Sequence, residues 1–88
     1  MKVVYKYPLN TSSRTELDLP KNAEPIRVDV QNNGLFLWAI VEPQKQATRR
    51  VIEVFGTGHQ MPDAYRIYIN TFFVKEGEYV FHAFETID

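Results

Sequence analysis

Residues 26–41 read Ile26-Arg27-Val28-Asp29-Val30-Gln31-Asn32-Asn33-Gly34-Leu35-Phe36-Leu37-Trp38-Ala39-Ile40-Val41. The first six alternate, with Ile26, Val28 and Val30 expected inward and Arg27, Asp29 and Gln31 outward, the period-2 signature of a half-buried strand. Asn-Gly between apolar runs is the strongest short-range hairpin signal. Leu35 to Val41 is then apolar on both faces, so this return strand is expected to be central and covered on both sides, by the core and by a neighbouring sheet or subunit. The segment is a β-hairpin, and the rest of the chain extends it.

Upstream, Val3, Tyr5 and Tyr7 share one face and Lys2, Val4 and Lys6 the other, until Pro8 is expected to end the strand. Asn10-Thr11-Ser12-Ser13 has turn composition. Thr15, Leu17 and Leu19 then alternate with Arg14, Glu16 and Asp18, which suggests a hairpin with the first run. Downstream, Arg49 to Phe55 reads as a strand that stops at Gly56-Thr57-Gly58-His59, and residues 56–64 are irregular. Tyr65 to Val74 alternates, with Tyr65, Ile67 and Ile69 on one face; Lys75-Glu76-Gly77-Glu78 is a hairpin loop; Tyr79 to Glu85 is the last strand. Nothing shows helical periodicity. The expectation is one all-β domain over 1–88: a small antiparallel meander of about seven strands, closed or folded into a barrel or sandwich.

Eighty-eight residues give a small interior and a modest stability margin. Six Phe, five Tyr and Trp38 can fill that interior or line a subunit interface, and a homo-oligomer is expected. With no cysteine, disulfides, thiolate metal sites and cysteine nucleophiles are excluded. The first residues lack the apolar run and cleavage site of a signal peptide, and no segment has the ~20 apolar residues of a membrane helix, so the expected place is the cytoplasm, with no membrane partner. Ten basic and eleven acidic residues are interspersed, with a net charge of −1. That balance disfavours general nucleic-acid binding, which needs a basic excess.

The most site-like feature is Gly56-Thr57-Gly58-His59. Its glycines can bring backbone N–H groups to an anion, Thr57 adds a hydroxyl and His59 a titrating donor. Arg49 and Arg50 could add charge if a loop or a second chain brings them near, and Asp63 is the one acid placed to partner His59. The plainer reading is a tight turn at a strand end. It is not a P-loop, since no Gly-Lys-Ser/Thr follows. Trp38, with Phe36 and Ile40, could stack a planar ring, but a core or interface role is favoured. His82, beside Val80 and Phe84 on one strand face, reads as a satisfied core or interface residue. Two histidines with no ligand spacing do not make a metal site, and no nucleophile, base and orienting group come together in sequence. Neither a cofactor nor an enzymatic activity is expected.

Lys6-Tyr7, Leu19-Pro20, Gln31, Leu37-Trp38-Ala39, Gly56-Thr57-Gly58-His59 and Phe81-His82-Ala83-Phe84-Glu85 occur in an order that resembles a family of small bacteriophage proteins of this length. The resemblance spans nearly the whole chain and carries over no catalytic residue. It implies a phage-encoded accessory protein in the host cytoplasm. By analogy with such proteins, the expected function is non-enzymatic sequestration of a small anionic ligand, such as a nucleotide immune signal, to counter host defence. Its expected ligand residues are Gly56, Thr57, Gly58, His59, Arg49, Arg50 and Trp38. The alternatives are an inhibitor that binds a host protein and a minor structural or assembly protein.

Overall fold

The alternating segments become seven strands in a computed structural model that describes residues 1–87: β1 (Val3–Leu9), β2 (Arg14–Pro20), β3 (Glu24–Gln31), β4 (Gly34–Val41), β5 (Ala47–Gly56), β6 (Tyr65–Val74) and β7 (Tyr79–Ile87). They form two antiparallel sheets, ordered β1-β4-β3 and β2-β5-β7-β6. The thinnest dimension of the molecule is 17 Å. That suits two sheets stacked ~10 Å apart, and the fold is the sandwich form of the expected all-β architecture.

Pairing register assigns the faces. Leu37, Ala39 and Val41 of β4 point inward beside Leu9 and Val28, and all five are buried. The second sheet answers with Leu19, Ile52, Phe72 and Ala83. At β2 the expected alternation holds residue by residue: Thr15 and Leu19 are buried, Leu17 packs on the core, and Arg14, Glu16 and Asp18 are exposed. The β3–β4 hairpin also forms. Its two-residue loop is Asn32-Asn33, with φ of 50° and 67°, and Gly34 already pairs with Gln31. Positive φ at both central positions is the type I′ geometry that matches strand twist.

Five expectations are corrected. β1 and β2 do not form a hairpin: β1 pairs with β4 and β2 with β5, so the polar turn at 10–13 carries the chain from one sheet to the other. Pro8 does not end β1, since it stands opposite Phe36 and the strand runs to Leu9; an edge strand tolerates the missing donor. Ile26 lies at a register shift between Pro25 and Arg27 and is 42% exposed, while Val30 opens onto a cleft. Ile69 lies at a second shift between Tyr68 and Asn70, so it is half-buried against the core while Tyr65 and Ile67 are exposed. β4 is central, yet its second face, Phe36, Trp38 and Ile40, is only half-buried and carries no further layer.

The shift at Ile69 has a structural use. It places Asn70 opposite Ala83 on the inner face, where its side-chain amide meets the backbone of β3. Val28 N–H donates to Asn70 Oδ1 at 2.7 Å, and Asn70 Nδ2 donates to the Val28 carbonyl at 2.9 Å. A side-chain amide thus replaces a missing strand partner and closes one side of the sandwich. Leaving a buried backbone donor and acceptor unpaired costs ~1–3 kcal/mol. Asn70→Ala should therefore lower unfolding stability by about 2–3 kcal/mol in urea titrations, and Asn70→Asp, which keeps the acceptor but not the donor, should recover only part of it.

Candidate functional site

The Gly-Thr-Gly-His turn closes by a hydrogen bond from His59 N–H to the Gly56 carbonyl, 3.0 Å. Gly58, at φ +86°, takes the third position, which requires φ > 0 in a type II turn. Thr57 N–H donates to the Val80 carbonyl of β7 at 3.0 Å. Two of the turn's amides are thus already engaged, which weakens its expected use as an anion cradle.

Thr57 is a tether. Its Oγ1 lies 2.7 Å from His82 Nε2, His82 Nδ1 lies 3.0 Å from Thr71 Oγ1, and Thr71 Oγ1 lies 2.7 Å from the Tyr68 hydroxyl. One tautomer satisfies every group. Tyr68 donates to Thr71, Thr71 to His82 Nδ1, His82 Nε2–H to Thr57, and Thr57 to the Val80 carbonyl at 3.4 Å. His82 is therefore satisfied, as the sequence suggested, but it lies on the outer face of the second sheet rather than in the core. Its partner Thr57, 25 residues away, carried no signal in the sequence.

Gly56 and His59 have a different role. A Cβ on Gly56 would stand 2.9 Å from the His59 ring, so glycine is what lets the imidazole lie against the backbone. That ring sits at the mouth of a cleft between the two sheets, with a volume of about 390 Å³. Asp63 is exposed farther along the same loop.

Arg49 and Arg50 lie at the opposite end of β5, six and seven residues from Gly56 and so ~20 Å away. Arg49 faces solvent between Glu16 (3.6 Å) and Asp18 (3.2 Å). Arg50 points into the sandwich. It forms a bidentate pair with Glu85, through Nε to Oε2 and through Nη2 to Oε1 at 2.9 Å, and also donates to the Ala23 carbonyl at 3.0 Å. The hydrogen bond that Arg50 donates to Glu85 raises the Arg50 pKa against the desolvation that would lower it. Neither guanidinium is placed to serve a ligand at the turn.

Trp38 stands apart from the others, on the outer face of the first sheet. Its cross-strand neighbours are Lys6 on β1 and Arg27 on β3. Lys6 Nζ lies 4.6 Å from the centre of the Phe36 ring and donates to Gln31 Oε1 at 2.9 Å. Phe36 and Trp38 are tilted neighbours at 6.1 Å. Arg27 is held by Asp29, with Nη2 2.7 Å from Oδ2. A depression of about 350 Å³ is bounded by Trp38, Arg27, Asp29 and Gln31 among others. Lys6, Arg27 and Gln31 were not among the expected ligand residues, although the alternation of β1 and β3 had already set them on outward faces.

A family model described as Domain of unknown function (DUF7352) matches residues 1–88. The chain belongs to that family. No curated protein and no solved structure matches. Among the described residues no helix is long and apolar enough to cross a membrane, and no three His, Asp or Glu side chains gather as metal ligands would.

The two glycines of the turn should separate on substitution. Gly58→Ala forces a side chain into left-handed φ and should cost ~1–2 kcal/mol. Gly56→Ala should leave stability nearly unchanged and shift the His59 ring resonances in NMR spectra. Glu85→Ala strands the Arg50 charge and should cost about 3 kcal/mol by denaturant unfolding.

Proposed function

We propose that this protein captures a small anionic ligand with a planar ring, a nucleotide in chemical class, without transforming it. One observation carries the reading: Trp38 is flanked in register by two cations, Lys6 and Arg27. Stacking on an aromatic side chain contributes ~1–3 kcal/mol per base. Lys6, which has no carboxylate partner among the described residues, is the group for a phosphate; Arg27 stacks or adds a donor beside Asp29. The ligand site thus moves from the Gly-Thr-Gly-His turn to the outer face of the first sheet, and of the expected ligand residues Trp38 is the one it retains.

The resemblance to small phage proteins supports the setting. In it, the protein is a phage accessory factor in the host cytoplasm that sequesters a nucleotide immune signal. Assembly into a homo-oligomer is supported by large side chains left in solvent on β6, where Tyr65 is 69% and Phe73 62% exposed. The same side chains support a second reading, in which β6 docks on a host protein. A native mass spectrum separates the two, giving a multiple of the chain mass for the first and a monomer for the second.

Trp38 is the only tryptophan, so its fluorescence reports directly on this face. Titration with nucleoside monophosphates, cyclic nucleotides and cyclic dinucleotides should quench it saturably for at least one of them. Lys6→Ala should weaken that ligand by about tenfold or more, the loss of a hydrogen bond to a charged group. No saturable quenching by any of these, in folded protein, would overturn the proposal.

A further inference from the structure

We propose that the cleft between the sheets, at the end bearing His59, is a second ligand site, specific for an uncharged apolar molecule. Its volume of about 390 Å³ falls in the range of small-molecule pockets, ~300–1,000 Å³, which are walled by apolar side chains and oriented by a few polar groups. Leu35 and Val30 of the first sheet and Val54, Phe72 and Phe81 of the second form the walls. Ser13, Asn33 and His59 stand at the rim. Among the described residues no Lys, Arg, Asp or Glu lines the cleft. Burying an ion here would take its charge out of water with no counter-charge, a cost of several kcal/mol per ion. A neutral ligand keeps the gain from its buried apolar area and needs only one polar group to reach the rim.

The mouth is built rather than incidental. Asn10 N–H donates to Thr15 Oγ1 at 2.8 Å, and Ser12 Oγ donates to the Arg14 carbonyl at 3.2 Å, which fixes the 10–13 turn on one side. Val54 N–H donates to the Ser13 carbonyl at 2.8 Å, joining that turn to the cleft wall. On the other side, the absence of a Cβ at Gly56 seats the His59 ring. His59 places a polar imidazole at the entrance, and this gives the Gly56 and His59 of the motif a role in ligand recognition that owes nothing to anions.

The cleft and the Trp38 face adjoin at Val30, which borders both, but the cleft opens between the sheets and Trp38 lies on the outside of one of them. The test uses the uncharged dye N-phenyl-1-naphthylamine and its sulfonated relative 1-anilinonaphthalene-8-sulfonate. The neutral dye should bind once per chain with increased emission, and at least tenfold more tightly than the sulfonate. Ser13→Trp, at an exposed rim position, should plug the mouth and abolish that signal with the thermal transition unchanged. His59→Ala should weaken binding severalfold. Lys6→Ala and saturating nucleotide should leave the dye unaffected, so that failure at one site is distinct from failure at the other. Equal affinity for the two dyes, no binding of the neutral dye, or full binding by folded Ser13→Trp would each overturn the inference.

Discussion

The two hydrogen bonds between Asn70 and Val28 are the constraint on which the sandwich depends. β3 and β6 are terminal strands of their sheets, and Asn70 on β6 pairs the open backbone of β3 at Val28. The side chain of Asn70 supplies both a donor and an acceptor, as a peptide group would. The core on either side of this clamp is divided unequally. Above it, Phe72 and the cleft residues face the first sheet; below it, Tyr65 and Ile67 diverge into solvent. A register shift in β6 makes the clamp geometrically available, so the irregularity is part of the architecture.

Two charge clusters tie strands together, one inside the sandwich and one on the outer face of the second sheet. Arg50 and Glu85 neutralise each other at one end of the interior, and the contact to the Ala23 carbonyl extends the pair to the turn entering β3. On the outer face of the second sheet, Glu53 accepts from Arg66 Nε at 3.0 Å and from Thr86, while Arg66 reaches the Pro62 carbonyl at 2.7 Å. That last bond pins the 57–64 loop to the sheet. Lys6 takes no part in these clusters and stands beside the aromatic rings of β4.

Strand existence was legible because half-buried strands print their alternation directly, as β2 does with Thr15, Leu17 and Leu19. Which strands pair was legible only where a turn dictates it. The turn after Gln31 forces a hairpin, whereas the polar turn after Leu9 reverses the chain without naming a partner. The register shifts at Ile26 and Ile69 break alternation at single residues that look regular in sequence. For the site, the motif at Gly56 was visible as a local pattern, but its division of labour was not. Thr57 is anchored by His82 and Arg50 is consumed by Glu85, both partners being remote in the chain. The cations beside Trp38 lie on different strands, so only pairing register brings them together.

One side of the sandwich is clamped, and the other is not: β1 and β2 border it as terminal strands of their sheets. Open strand edges invite indefinite addition of further chains. Here each edge is made a poor template. β1 carries Lys6 and lacks one donor at Pro8, and β2 presents Arg14, Glu16 and Asp18 in alternation. A strand arriving edge-on would have to desolvate these charges or forgo a ladder bond. Growth into fibrils by strand addition is thereby resisted, although two sheet edges end in solvent.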